Sequence, residues 1–171
     1  PDAGTSPDAG TSPDAGTSPD AGTSPDAGSD PFATPPVCTS GVFWNSTALV
    51  PRSQMHPGGA CISCHSSGEG PTFQVAGTVY PTAHEPNNCY GVPSNVTVEI
   101  TDALGVVYNL AVNQAGNFYL NPPLSFALPF HARVLSGGRQ RVMQTPQYTG
   151  DCNSCHTQTG ANGAPGRIVA P

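Results

Sequence analysis

Lysine is absent from this chain of 171 residues, and only 9% of its residues are charged. Five arginines stand against eleven acids, a formal net charge of -6 at pH 7 with His neutral. Without a basic patch the chain cannot neutralise a phosphate backbone or an anionic bilayer, so neither nucleic acid nor lipid headgroups are expected partners. Long apolar runs are missing too. None approaches the ~20 residues of a spanning helix, so no membrane span is expected. No signal peptide is visible, yet the chain opens inside a repeat. This reads as a mature, processed form whose leader has been removed, with room for a lipid anchor upstream of residue 1. Common catalytic sets are also lacking, since no Ser-His-Asp set, carboxylate pair or phosphate loop stands beside the motifs described below.

Residues 1–30 lack any large apolar side chain. They are four perfect copies of Pro-Asp-Ala-Gly-Thr-Ser and a fifth, Pro-Asp-Ala-Gly-Ser-Asp. Such a segment cannot bury a core of its own. A proline every six residues favours extended backbone, which at polyproline rise reaches about 90 Å. The repeat therefore reads as a tail or stalk, and its Thr and Ser residues suit O-glycans. It also holds six of the eleven acids, so the body from Pro31 onward, with five arginines and five acids, is formally neutral.

What the body does have is Cys-x-x-Cys-His, twice: Cys61-Ile62-Ser63-Cys64-His65 and Cys152-Asn153-Ser154-Cys155-His156. That spacing is the attachment pattern of a c-type haem. Two thiols add across the vinyl groups of one porphyrin, and the following histidine is held against the iron as proximal ligand. The pattern implies two covalently bound haems, attached through Cys61, Cys64, Cys152 and Cys155, with His65 and His156 as proximal ligands. A zinc site built from both cysteine pairs is the competing reading. It accounts for the thiols but not for a histidine after each pair. The two cysteines outside the motifs, Cys38 and Cys89, read as a disulfide, which fits an oxidising compartment. The expected location is extracellular or at the outer cell surface, with the periplasm second.

The rest of the body divides by texture. Residues 31–71 are irregular, with short helical turns expected at the motifs. Residues 72–143 carry period-two alternation at Phe73–Val79 and Val96–Ile100. Further strand-like runs follow at Val106–Val112, Asn117–Leu120, Phe126–Leu135 and Arg139–Met143. Turn signals separate them at 102–105, 113–116, 121–123 and 136–138. Short strands with turns at this spacing predict a mainly β fold, an antiparallel β-sandwich. Residues 144–171 form a second irregular segment around the second motif.

The stretches Ala76-Gly-Thr-Val-Tyr80, Val96-Thr-Val-Glu-Ile-Thr-Asp102 and Asn113-Gln-Ala-Gly-Asn-Phe-Tyr119 resemble, in that order, the carboxypeptidase-regulatory, transthyretin-like sandwich. The match covers roughly residues 72–143 and implies fold rather than function. The flanks, with Met55-His-Pro-Gly58, Pro81-Thr-Ala-His-Glu-Pro86 and Ala164-Pro-Gly-Arg-Ile168, resemble secreted bacterial multihaem c-type cytochromes carrying such a sandwich between haem motifs.

For the sixth iron ligands the residues leave several choices. His56 and His84 lie in proline-flanked irregular segments and are the first candidates, with His131, inside an expected strand, third. Met55 and Met143 remain as thioether alternatives, Met143 reading more simply as a strand-end apolar residue. Arg133, Arg139 and Arg141 are candidates to pair with haem propionates. His84 is expected at the opposite end of the sandwich from Cys61, and the sequence does not decide whether the motifs are neighbours. The functional expectation is electron transfer by a dihaem cytochrome, not an enzyme, partnered by other cytochromes or by copies of itself in a filament. The alternatives are a dihaem peroxidase with one five-coordinate iron and a zinc-stapled binding sandwich.

Overall fold

A computed structural model describes residues 30–46, 51–122 and 125–171. The repeat up to residue 29, and with it the expected stalk, lies outside the described residues. The fold is mainly β, with seven strands among them and two four-residue helices. In chain order these are α1 (Cys61–Cys64), β1 (Val75–Tyr80), β2 (Thr97–Thr101), β3 (Val107–Ala111), β4 (Asn117–Leu120), β5 (His131–Ser136), β6 (Arg139–Val142), α2 (Cys152–Cys155) and β7 (Ile168–Val169).

Two sheets result. A three-stranded sheet has the order β4-β1-β7, and a four-stranded sheet the order β3-β2-β5-β6. All pairings are antiparallel except β1 with β7, where Val79 and Tyr80 lie beside Ile168 and Val169 in parallel. One apolar cluster joins the sheets: Val75, Val79 and Phe118 from the first meet Val98, Ile100 and Val134 from the second, with Val96 and Phe130 beside them. Alternation along β2 matches this, since Val98 and Ile100 are buried while Thr97, Glu99 and Thr101 are partly exposed.

The hairpins fall where the turn signals stand. Asp102 closes the β2–β3 turn by accepting the N–H groups of Leu104 and Val106, and its other oxygen accepts the Ala127 N–H. Asn113 does the same after β3 for Ala115 and Asn117. These are Asx-type turns, in which a short polar side chain stands in for a backbone acceptor.

Two elements differ from the expected strands. The run expected at Phe126–Leu135 becomes ladder only from His131, because Pro129 has no N–H to donate and Ala127 gives its own to Asp102. The other is β7, a two-residue strand too short for any periodicity. It matters because β1 is buried at all six positions rather than at alternate ones. Segment 150–169 occupies the edge of β1 opposite β4: Ala76 donates to Gly150, and β7 continues alongside. The second motif is thus built onto the central strand of its sheet.

The Cys38–Cys89 disulfide is present. It ties the segment before the first motif to the loop after β1. Beside it the buried Glu85 carboxylate accepts the Thr39 N–H at 2.9 Å and the Thr39 hydroxyl. Among the described residues, no helix is long and apolar enough to cross a membrane.

Candidate functional site

Each motif supplies a helical turn that puts two cysteines on neighbouring turns and leaves the histidine at its exit. The decisive detail is the far side of each imidazole. His65 Nδ1 lies 2.7 Å from the Pro71 carbonyl, and His156 Nδ1 lies 2.9 Å from the Gly166 carbonyl. A carbonyl only accepts, so Nδ1 must carry the hydrogen in both rings. That fixes one tautomer and leaves Nε2 as the lone-pair nitrogen. It is the outer-shell arrangement by which proteins aim a ligating imidazole at a metal. Burial lowers the His156 pKa from its ordinary value, against the opposing pull of the Gly166 carbonyl, and so favours the neutral, ligating form.

The motifs are neighbours. Ser63 of the first donates its N–H to the Asp151 carboxylate at 2.9 Å, and Asn153 of the second lies 3.9 Å from Cys61 Sγ. Asn153, buried, is the hub. Its amide donates to the Gly59 carbonyl and the Thr78 hydroxyl, and its oxygen accepts the Thr78 N–H. The Thr78 hydroxyl in turn donates to Asn117 and accepts the Gly58 N–H. Arg167, also buried, completes the clamp by donating to the carbonyls of Glu85, Gly58 and His156 and to the Asn87 side chain. It lies over the Tyr80 ring at 5.2 Å. Gly77 makes the close packing feasible, since a Cβ there would come within 2.8 Å of Phe118 and 3.0 Å of Cys152.

The two surroundings differ. The second motif opens onto a cavity of about 490 Å³, lined by Cys152, Cys155 and His156 on one side and by Ile100, Phe118 and Phe130 on another. That is an apolar space of ligand size. At the first motif Cys64 is exposed. The His65 ring stands 4.7 Å from Phe73, whose ring is 4.9 Å from Tyr119. A side chain at Gly70 would collide with the imidazole at 2.7 Å.

Burial pushes the Cys61 thiol up to about 11, helped by the Asp151 charge, and the Cys152 thiol up to about 12, helped by Cys61 and Asp151. The thiolate is the metal-binding form, and these thiols hold their protons at neutral pH. The four motif cysteines do not draw together as a metal cage. Among the described residues the grouping with metal-ligand spacing is Cys38, Glu85 and Cys89, and its cysteines are spent on the disulfide.

The distal candidates are scattered. His84 turns both ring nitrogens to carbonyls, Nδ1 to Gln158 at 2.7 Å and Nε2 to Phe32 at 3.1 Å. It thus lies beside the turn that follows the second motif. His56 packs its ring 3.8 Å from Trp44, with Nδ1 at 3.3 Å from the Asn88 amide oxygen. His131 is exposed on β5, opposite Thr101. None of the three lines the cavity, whereas Met143 does.

Of the arginines, Arg133 is engaged with Glu99 at 2.7 and 2.9 Å and Arg139 is exposed in the β5–β6 hairpin. Arg133, Arg141 and Arg167 all line the cavity. Arg167 and Asn153 are the site residues that sequence reasoning passed over. Asn153 stood inside a motif read only for its cysteines and histidine, and Arg167 stood in a stretch noticed only for its likeness to cytochromes. No protein-family model, curated protein or solved structure matches the chain.

Proposed function

We propose that the protein is an extracellular dihaem c-type cytochrome that transfers electrons. The observation that carries this reading is the pair of oriented imidazoles: both motif histidines donate Nδ1–H to a carbonyl downstream and keep Nε2 for a metal. The second motif adds an apolar cavity bounded by its own Cys152, Cys155 and His156. Haem bound there supplies a one-electron couple whose potential follows axial ligand, burial and hydrogen bonding.

The chain's part is attachment, orientation and exclusion of water. Cys61 with Cys64, and Cys152 with Cys155, anchor the two groups. Pro71 and Gly166 hold the imidazoles in register through their carbonyls. Phe118, Phe130 and Ile100 would keep the second group dry, and Arg141, which lines the same cavity, would offer a guanidinium to a propionate. The Asn153 hub holds the motifs side by side, a proximity that suits electron passage between two centres. The two sheets with one core between them support the transthyretin-like sandwich as the frame. The exposed first motif is the natural exit to another cytochrome or to a second copy, and repetition of that contact builds a filament.

Mass measurement of the denatured native protein tests the reading, with the expected value being the polypeptide plus two haems. A bare polypeptide mass overturns it, and low-spin bands in the visible spectrum separate a carrier from a peroxidase. Electron microscopy of secreted material decides between filament and isolated particles.

A further inference from the structure

The cavity beside the second motif contains one side chain whose chemistry the proposed function leaves unused. Met143 follows β6, and its N–H donates to the Ala132 carbonyl at 3.0 Å, which extends the β5–β6 ladder by one residue. Val134 lies opposite Arg141 in that ladder, and Ala132 opposite Met143. Side chains of facing residues share a sheet face, and Val134 belongs to the core. Arg141 and Met143 therefore project on the core side. Both line the same cavity as Cys152, Cys155 and His156. The intervening Val142 is exposed, as the alternation requires, and with Arg133 opposite it borders the cavity as well. His56, His84, His131 and Met55, the other candidates to complete an iron's coordination, do not line this space.

We propose that the Met143 thioether is the distal ligand of the second haem, opposite His156. This rests on the dihaem reading above. A thioether suits a cavity walled by Ile100, Phe118 and Phe130, because it enters apolar surroundings with no charge and no hydrogen bond to lose. It is a soft donor, and its three rotatable bonds give it reach from a strand end. His-Met ligation raises the reduction potential relative to two histidines. Met143 thus makes the second centre the electron-accepting end of the pair and sets a direction inside one chain.

The test uses the intact haem-loaded protein. Denaturing mass is read first, since a bare polypeptide there sinks the dihaem reading itself. With two haems present, the oxidised protein should show the far-red charge-transfer band of thioether-bound ferric haem. Met143→Leu, which conserves volume, should abolish that band, turn half of the haem high-spin and keep the two-haem mass. Met143→His should restore a fully low-spin spectrum without the band and lower the potential of that haem. His56→Ala, His84→Ala and His131→Ala should each leave the band intact. The assignment fails if the native protein lacks the band, if Met143→Leu keeps both haems low-spin, or if one of the histidine variants removes the band.

Discussion

The two motifs share a five-residue pattern, a helical turn and a histidine held by a downstream carbonyl, but not their surroundings. In the first, the position after the leading cysteine is Ile62, half-buried, and the second thiol faces solvent. In the second, the same position is Asn153, buried and making three hydrogen bonds into β1 and the first motif's loop. One motif is carried at the surface against a short aromatic row, while the other is part of the β1 edge and of the cavity wall. The proposed attachment chemistry is thereby set in two dielectric environments, and burial is among the levers that tune a haem's potential. The difference teaches that one short pattern can be set in unlike surroundings, which the fold and not the pattern decides.

The sharpest way to break the comparison is to remove each attachment site in turn. Cys61→Ser with Cys64→Ser, and Cys152→Ser with Cys155→Ser, should each lose one haem by mass. The second pair should lower the thermal midpoint far more, because it leaves the apolar cavity of about 490 Å³ without the group it is proposed to hold. Equal midpoints would mean that the two environments are energetically alike.

Next in size is the disulfide. Cys38 and Cys89 are separated by 51 positions, and closing a loop of that length stabilises by roughly 4 kcal/mol. Cys38→Ala with Cys89→Ala should lower the denaturant midpoint accordingly. A spectral change should reach both proposed haems, because the loop before Cys89 holds Asn88 beside His56 and also Glu85 and Asn87, which Arg167 ties to His156.

A smaller contrast lies inside the motifs. Asn153→Ala strips the buried Thr78 N–H and Gly59 carbonyl of partners and should cost about 2–3 kcal/mol. Ile62→Ala, at the matching position, should cost about 1 kcal/mol through lost apolar area alone. Equilibrium unfolding of the two variants gives the ratio, and a larger loss from Ile62→Ala would contradict the hub assigned to Asn153.

The smallest effect is one of pH, at the β2–β3 turn. Burial works to raise the Asp102 carboxyl, but the N–H groups of Val106, Ala127 and Leu104 outweigh it and hold the pKa below the ordinary carboxylate value. A depressed folded pKa contributes stability at pH above the unfolded value of about 4, and loses it as pH falls through the folded value. Asp102→Asn should flatten that part of the acid-unfolding curve while leaving both haem spectra unchanged.

Much of this architecture was legible because its causes are local. Strands β3, β4 and β6 coincide with apolar or alternating runs bounded by turn signals, and the Asp102 and Asn113 turns are fixed by side chains two to four residues from the groups they bond. The motifs and the disulfide partners were legible from composition. What escaped is non-local. The continuous burial of β1 depends on segment 150–169 lying along its edge. The adjacency of the motifs depends on Asn153 and Arg167 reaching across long separations, and the cavity on which inner-face residues it collects. The source of a distal ligand is non-local in the same way: the proline-flanked surroundings of His56 and His84 say how freely a side chain can be aimed, and not where the cavity opens.

The Arg167 clamp has a consequence in time. Its bond to the Gly58 carbonyl spans 109 positions, and the bond to Glu85 spans 82. Contacts of such separation form late, because the closure entropy must be met before they contribute. Until residue 167 is in place, the loop ahead of Cys61 and the carbonyl of His156 lack their common anchor. The two motifs thus share one organising contact, and it is supplied by the C-terminal segment. Locking of the clamp is the step that orders both motifs together.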